Sequence, residues 1–323
     1  MLTKNDLELV DALQADPRAP WSSISAAAGI SAVTATRRWQ RLSERRDAWF
    51  AAYPGSSLRK RMVLAFVEID CMPGQSLAVA LALADDPNVA SIDHIAGRCD
   101  LLVHVLASSP HDLRSYLDSR LAGLPGVIAN RALVSPCILS DGSSRRARRD
   151  GEPDWHSPVS LRFGSLDRAL VHALGEDGRA PAAALAVRLN VSETTVRRRM
   201  TVLLESGALV LRCEIARSLS PAPVTATLWI QVPPDRLDSA GQSLAALPEC
   251  RMCAVVNGTA NLLLIASLSS EYQVIALENS LTTTRPWLRI VGRAITLRPV
   301  KLMGRLLDDD GRSVKYVPLA LPR

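Results

Sequence analysis

Two short runs of hydroxyl and guanidinium side chains carry the most legible chemistry in this chain. The first lies in "ISAVTATRRW" (Ile30–Trp39) and supplies Ser31, Val33, Thr34, Thr36, Arg37 and Arg38. The second lies in "VSETTVRRRM" (Val191–Met200) and supplies Ser192, Thr194, Thr195, Arg197, Arg198 and Arg199. In each, a Ser suited to capping a helix precedes Thr in the first turn and Arg in the second. Threonine can meet base edges or a thymine methyl, and Arg offers a planar fork that fits phosphate or guanine. A short helix carrying these groups suits the major groove of double-stranded DNA. The plainer alternative is an amphipathic helix whose basic face is merely solvated. The tight turn before each run, the caps and the doubling favour the first reading. Three consecutive arginines in the second run against two in the first, with a better-formed turn near Asn190, imply tighter binding by the second.

A second candidate site is smaller. Gly97, Arg98 and Asp100 stand in "GRCD", and Gly258 and Asn261 in the matching "GTAN". These are the expected effector contacts, with one working pocket per chain. Asp100 could hold the ammonium group of an amino acid, which the uncharged Asn261 could not. It could equally do no more than shape a hairpin turn. No catalytic residue, metal site or cofactor is expected. The five histidines (94, 104, 111, 156 and 172) do not recur between the two copies of the pattern. His104 alternates within an apolar strand, as a core or interface histidine does. "CRMC" (Cys250–Cys253) has no second pair and no His nearby, whereas a structural zinc site needs about four ligands.

The two runs stand 161 residues apart, as Ser31 and Ser192 do, and the offset holds far beyond them. "DPRAP" (Asp16–Pro20) falls on "DGRAP" (Asp177–Pro181), Leu42 on Leu203, Ala65 on Ala226, Pro87 on Pro248 and Gly97 on Gly258. A register kept that long marks an internal duplication. Upstream of each run lie two short helical patterns. Thr3 can cap the first, with Asp6 at the capping-box position, and Leu7, Val10 and Leu13 recur at helical spacing. Gly29 and Asn190, types that tolerate a left-handed backbone, end the second pattern. On the third helix Ala35, Trp39 and Leu42 form the inner face, as do Val196, Met200 and Leu203 in the copy. Downstream, strands and helices follow the order β-α-β-β-α-β, from "RMVLAFVEID" to "VIANRALVSP" and again from "TATLWIQV". That order is the ferredoxin-like signature. Leu64, Phe66, Leu102 and Leu106, and likewise Trp229, Leu263 and Ile265, make the face away from the helices apolar too, so each sheet needs a partner.

The expected fold is therefore α+β, a duplicated unit of winged helix-turn-helix domain plus ferredoxin-like βαββαβ domain. Residues 1–55 form a helix-turn-helix DNA-binding domain and 60–140 a βαββαβ effector and assembly domain. Residues 141–160 form a linker, 161–216 the second helix-turn-helix domain, 222–305 the second βαββαβ domain, and 306–323 a tail. The linker region is rich in Gly, Ser, Pro and charge. Its "RRARR" could touch phosphates, although a solvated linker is the plainer reading.

Composition bounds the partners. Of the 323 residues 48% are hydrophobic, enough for real cores, and the net charge is +6. The positive charge is nearly all Arg, with Lys only at 4, 60, 301 and 315. That balance leans toward an anionic partner, although a GC-rich genome gives the same bias. No apolar run approaches the roughly 20 residues of a membrane span, and the N-terminus has no signal-peptide core. No membrane partner is expected. The expected location is cytoplasmic, with all six cysteines reduced.

A helix-turn-helix followed by βαββαβ resembles the Lrp/AsnC (feast/famine) family of transcriptional regulators, here in tandem-duplicated form. The residues that carry the resemblance are "VSETTVRRRMTVLLESGAL", its earlier copy, and the turn into a strand in "GRCDLLVHV". The resemblance covers nearly the whole chain, twice. It implies binding to promoter DNA and a small-molecule effector, typically an amino acid, held by the second domain. It also implies an intramolecular pseudo-dimer, since single-unit members pair as dimers, with further homo-oligomers left open. Some positions depart from the family pattern. Cys99 and Ala260 stand where a large aromatic is usual, Asp100 becomes Asn261, Ser25 stands opposite Ala186, and Arg46 opposite Gly207. The two halves are therefore expected to be unequal. The alternatives are a DNA-independent small-molecule sensor and a tetrapyrrole decarboxylase of similar architecture.

Overall fold

The computed structural model describes residues 2–140 and 162–322. The expected linker, with "RRARR" and His156, lies outside the described residues. The first half runs α1 (Lys4–Ala15), α2 (Trp21–Ala27), α3 (Ala32–Glu44), β1 (Ala48–Pro54), α4 (Ser56–Arg59), β2 (Val63–Cys71), α5 (Ser76–Ala84), β3 (Val89–Gly97), β4 (Leu101–Ala107), α6 (Pro110–Ser115), a π-helical turn (Tyr116–Leu121), β5 (Val127–Ser135) and β6 (Cys137–Ser140). The second runs α7 (Ser165–Glu176), α8 (Ala182–Leu189), α9 (Glu193–Glu205), β7 (Leu209–Ile215), β8 (Val224–Gln231), α10 (Leu237–Ala245), β9 (Cys250–Val255), β10 (Leu262–Leu268), α11 (Tyr272–Thr284), β11 (Arg289–Leu302), β12 (Arg305–Leu307) and β13 (Ser313–Tyr316).

Folding regroups the repeat. One compact unit holds the described parts of Met1–Met62, Pro158–Leu219 and Leu302–Arg323, and the other those of Val63–Ser157 and Ser220–Lys301. Both helix-turn-helix copies thus fall in the first unit and both βαββαβ copies in the second.

In the first unit, local chemistry sets the helices. Thr3 accepts from the Asp6 amide, and the Asp6 carboxylate accepts from the Thr3 amide at 3.0 Å, closing a capping box. Gly29 (φ +64°) and Asn190 (φ +52°) make the left-handed turns that their types predict. The apolar stripe then closes on itself: Leu9, Leu13, Ile24, Ala35 and Leu42 are at most 2% exposed. Burying each of the larger side chains stabilises the domain by about 1.5–3 kcal/mol. The winged fold expected of each domain is completed by the other copy. A single strand follows each third helix, and β1 pairs antiparallel with β7 from Ala48↔Ile215 to Pro54↔Leu209. The central pair is Ala51↔Arg212. Those positions are equivalent in the repeat, so a pseudo-two-fold axis runs between them. The segment expected as a tail packs on this same unit. Leu307, Val317, Leu319 and Leu321 are buried, Arg312 pairs with Asp47 at 2.9 Å, and Arg305 donates to the Gly175 carbonyl at 2.7 Å.

In the second unit each copy keeps the ferredoxin-like strand order, β5-β2-β4-β3 and β11-β8-β10-β9. The copies join edge to edge: β11 pairs with β3, and β6 pairs with β9. Leu139 of β6 enters the helix-side core of the second copy, beside Leu244, Leu262 and Leu281. The opposite faces are covered as well. Phe66, Leu102, Trp229 and Leu263 have no exposed surface. The apolar faces that called for a partner find it within the chain.

Candidate nucleic-acid interface

Helices α3 and α9 present the hydroxyl and guanidinium runs. Ser31 accepts from the Thr34 amide at 3.2 Å and Ser192 from the Thr195 amide at 3.1 Å. In both helices the two hydroxyls also share a hydrogen bond at 2.8 Å. Each helix therefore starts with a fixed hydroxyl pair beside its unsatisfied N-terminal amides, an arrangement that can receive a phosphate oxygen. Val33 is 79% exposed, and Thr194 at the matching position is exposed. Thr36 donates back to the Ala32 carbonyl at 2.9 Å.

The arginines divide into two kinds. Arg37 and Arg198, matched by the repeat, are exposed and make no hydrogen bond or ion pair among the described residues. Arg38 and Arg199, expected to reach DNA, are held by their own domains. Arg38 donates to Asp6 at 2.8 Å and to Thr3 at 3.1 Å, and Arg41 donates to Asp6 at 2.8 Å. Arg199 forks onto Asp167 at 2.7 and 2.6 Å and donates to the Arg162 carbonyl at 3.0 Å. The physical reason is burial. Asp6 and Asp167 are 2% and 3% exposed, and a carboxylate taken out of water needs a paired cation. Burial pushes the Asp6 carboxyl up, but hydrogen bonds from Thr3 and Arg38 outweigh it and leave it below the ordinary aspartate value. Arg197 pairs with Glu193 one turn back, at 2.8 Å through Nε. The extra arginine of the second run is thereby neutralised. Among the described residues each helix thus offers one unengaged guanidinium, Arg37 and Arg198, so the number of arginines does not by itself favour the second helix.

Two further arginines set the helices as a pair. Arg18 donates to the carbonyls of Gly178 (2.6 Å) and Ala180 (3.2 Å), and Arg179 donates to those of Pro17 (2.7 Å) and Ala19 (2.8 Å). The clamp is reciprocal and obeys the pseudo-two-fold. Tyr53 donates to the buried Glu214 at 2.6 Å, and Arg212 lies over the Tyr53 ring. Sequence reasoning used "DPRAP" and "DGRAP" to fix the register but assigned Arg18 and Arg179 no role. Their retention in both copies was the available signal.

The proposed effector residues lie on two separate hairpin turns. Asp100 accepts the Cys71 amide at 2.7 Å. Asn261 accepts the Val232 amide at 2.9 Å and returns a bond to the Val232 carbonyl at 2.8 Å. Cys71 and Val232 are themselves equivalent, so acid and amide do the same turn-shaping work. Gly97 (φ +142°) and Gly258 (φ +117°) permit these turns, and a Cβ at Gly97 would stand 2.3 Å from the Arg293 carbonyl. Arg98 donates to Glu68 at 2.7 Å. Burial, with Glu68 and Asp70 nearby, pushes the Cys99 thiol up to about 12. Among the described residues no group of three or more His, Cys, Asp or Glu is placed to hold a metal, and no helix is long and apolar enough to cross a membrane.

Comparison with known proteins agrees with this architecture. Residues 2–43 and 165–204 both match the AsnC-type helix-turn-helix domain, and residues 64–135 match the Lrp/AsnC ligand binding domain. An uncharacterised HTH-type transcriptional regulator of Pyrococcus abyssi is 31% identical over 102 residues, 30% of this chain. The match spans only 63% of that relative's length. The Bkd operon transcriptional regulator of Pseudomonas aeruginosa is 28% identical over 130 residues, covering 39% of this chain and 85% of that one. Among solved structures the siroheme decarboxylase NirDL is similar over 93% of both chains, with a TM-score of 0.62 and 14% identity. At that identity the likeness is one of fold. The two matched helix-turn-helix copies, the matched ligand-binding domain and the repeat that relates them place the chain in the Lrp/AsnC family, with the family's two-domain unit duplicated in tandem.

Proposed function

We propose that the protein is a DNA-binding transcriptional regulator that reads two unlike half-sites on double-stranded DNA with α3 and α9, and that answers to an amino acid or a related small metabolite. The observation that carries this reading is the pair Arg37 and Arg198, equivalent, exposed and unengaged among the described residues. Each stands one turn beyond a Ser–Thr hydroxyl pair. On this reading Ser31, Thr34, Ser192 and Thr195 meet phosphate, and Val33 and Thr194 face base edges. Arg37 and Arg198 reach guanine or phosphate, while Arg38, Arg197 and Arg199 hold their helices in shape. The name of the Pseudomonas relative and the description of the matched ligand-binding domain support operon control and an effector. The effector belongs to the βαββαβ unit, whose turns Gly97, Asp100, Gly258 and Asn261 shape. The protein works in the cytoplasm.

Binding the purified protein to fragmented genomic DNA and sequencing the retained pieces tests this. Expected is a small set of enriched sites with imperfect dyad symmetry, lost in the Arg37→Ala, Arg198→Ala double variant at unchanged melting temperature. Uniform recovery of all fragments overturns the reading. A second reading, tetrapyrrole decarboxylation, draws on the full-length likeness to NirDL. Against it stands the state of His104. Burial and the nearby Arg251 push its pKa down to about 4, so it is neutral and shielded rather than poised to donate a proton at pH 7. A visible spectrum that shifts on adding a tetrapyrrole, with release of carbon dioxide, would favour that second reading.

A further inference from the structure

The repeat sets Glu68 against Trp229 and Arg98 against Thr259, and the strand ladders set Arg131, opposite Glu68, against Gly292, opposite Trp229. In the folded unit these six residues do not form two like sites. Glu68 and Arg131 are cross-strand neighbours in the first sheet, and Trp229 and Gly292 are the same neighbours in the second. Glu68 has no exposed surface and is held by Arg98 at 2.7 Å and Arg131 at 3.0 Å. Arg98 also crosses to the second copy, its guanidinium carbon 5.7 Å from the centre of the Trp229 ring. One side chain touches both members of an equivalent pair, so Glu68 and Trp229 lie close together beside the pseudo-two-fold axis. Gly292 gives Arg98 its room. A Cβ at Gly292 would stand 3.3 Å from the Arg98 Cδ and 3.4 Å from the Trp229 Cβ.

We infer that this set is a pairing lock: the sheet surface of the first copy accepts the sheet surface of the second and rejects its own kind. The argument follows from duplicating either side. Two first copies would place two buried carboxylates beside the axis with four arginines around them. The Arg131 side chain would then occupy the space that Gly292 leaves open for Arg98. Like charges and overlapping atoms both oppose that arrangement. Two second copies would set Thr259 on Trp229 where Arg98 now lies, leaving a void over the ring and no ionic contact. The unlike pair alone matches large to small and guanidinium to aromatic ring. The partner this surface fits is the other half of the same chain, and a single-unit relative carrying either set twice is excluded.

The test keeps the full chain and exchanges the three positions. One variant makes the first copy like the second (Glu68→Trp, Arg98→Thr, Arg131→Gly). Another makes the second like the first (Trp229→Glu, Thr259→Arg, Gly292→Arg). A third combines all six, restoring an unlike pair in mirror image. Thermal unfolding reads the result. Expected are falls on the order of 10 °C for both like-paired variants, and recovery of most of that loss in the mirrored one. If the like-paired variants melt with the parent, or the mirrored variant is no better than they are, the lock is refuted. The outcome does not depend on DNA binding.

Discussion

His104 makes the structure sensitive to acid in a window that few other groups share. It lies in β4 with its ring edge-on to Phe66 at 4.7 Å between centroids, and its Nε2 meets no hydrogen-bond partner among the described residues. Burial, reinforced by the charge of Arg251, lowers its pKa from 6.5 to about 4. The sign follows from which state takes the proton. Between pH 6.5 and 4 the unfolded chain protonates this histidine and the folded chain does not. Folding stability is therefore fully present above pH 6.5 and is lost as pH falls toward 4. A separation of about 2.5 units at roughly 1.36 kcal/mol each makes the loss about 3 kcal/mol. The repeat supplies the control, because the equivalent position holds Ile265, buried in the other sheet. His104→Ile should be at least as stable as the parent at pH 7.5, since an unsatisfied ring nitrogen is removed. It should also lose about 2.5 kcal/mol less on going to pH 4.5, where the linked loss is not yet complete. Urea unfolding followed by tryptophan fluorescence at four pH values measures both. Parallel pH profiles for parent and variant would refute the reasoning, because no buried neutral histidine would then be linked to folding.

Other substitutions separate binding from scaffolding. Arg37→Ala and Arg198→Ala should each reduce the slope of log affinity against log salt by about 0.9, the contribution of one phosphate contact, without lowering the melting temperature. An unchanged slope in both would remove them from the interface. Arg199→Ala should instead destabilise folding by about 3 kcal/mol, because it leaves Asp167 buried without its fork. Chemical denaturation decides, and a loss of DNA affinity at full stability would contradict the assignment. Arg46 holds φ +60° where Gly207 of the copy holds +64°, so Arg46→Gly should stabilise by up to about 1 kcal/mol, measured the same way, and a destabilised variant counts against it. Arg18→Ala with Arg179→Ala should weaken binding to a complete site far more than to an isolated half-site. Equal losses on both would show that the clamp does not set the pair.

What the sequence revealed was local, and what it hid was tertiary. Thr3, Ser31 and Ser192 could be read as caps because a cap is decided within four residues. Gly29 and Asn190 could be read as left-handed turns for the same reason. The period-two strands β2 and β8 announced themselves through Ala65 and Ala226 and their neighbours. The fate of Arg38 and Arg199 was hidden, because it depends on α3 crossing the start of α1 and on α9 crossing that of α7. Asp6 was legible as a capping-box acid, but its second task, anchoring two arginines, is set by that crossing. The seam β6–β9 was equally hidden, since the four residues of "CILS" are too short to carry a period. For the effector turn, an Asp-to-Asn change looked like loss of a charge site. The bonds to the equivalent Cys71 and Val232 show that both side chains also shape their turns, a role that either chemistry can fill.

The central pair of the β1–β7 ribbon, Ala51 against Arg212, has a consequence for gene orientation. A dimer of identical chains sets each residue at the axis against its own copy, and it looks the same from either end of its site. Here the axis passes between an alanine and an arginine, and the heads on either side are unlike. On the proposed reading, the bound chain has an upstream face and a downstream face. Inverting its site in place would keep the affinity and the distance to the promoter yet present the other face to the transcription machinery. One site between two divergent genes could then govern them unequally, with the direction written into the operator rather than supplied by a second protein.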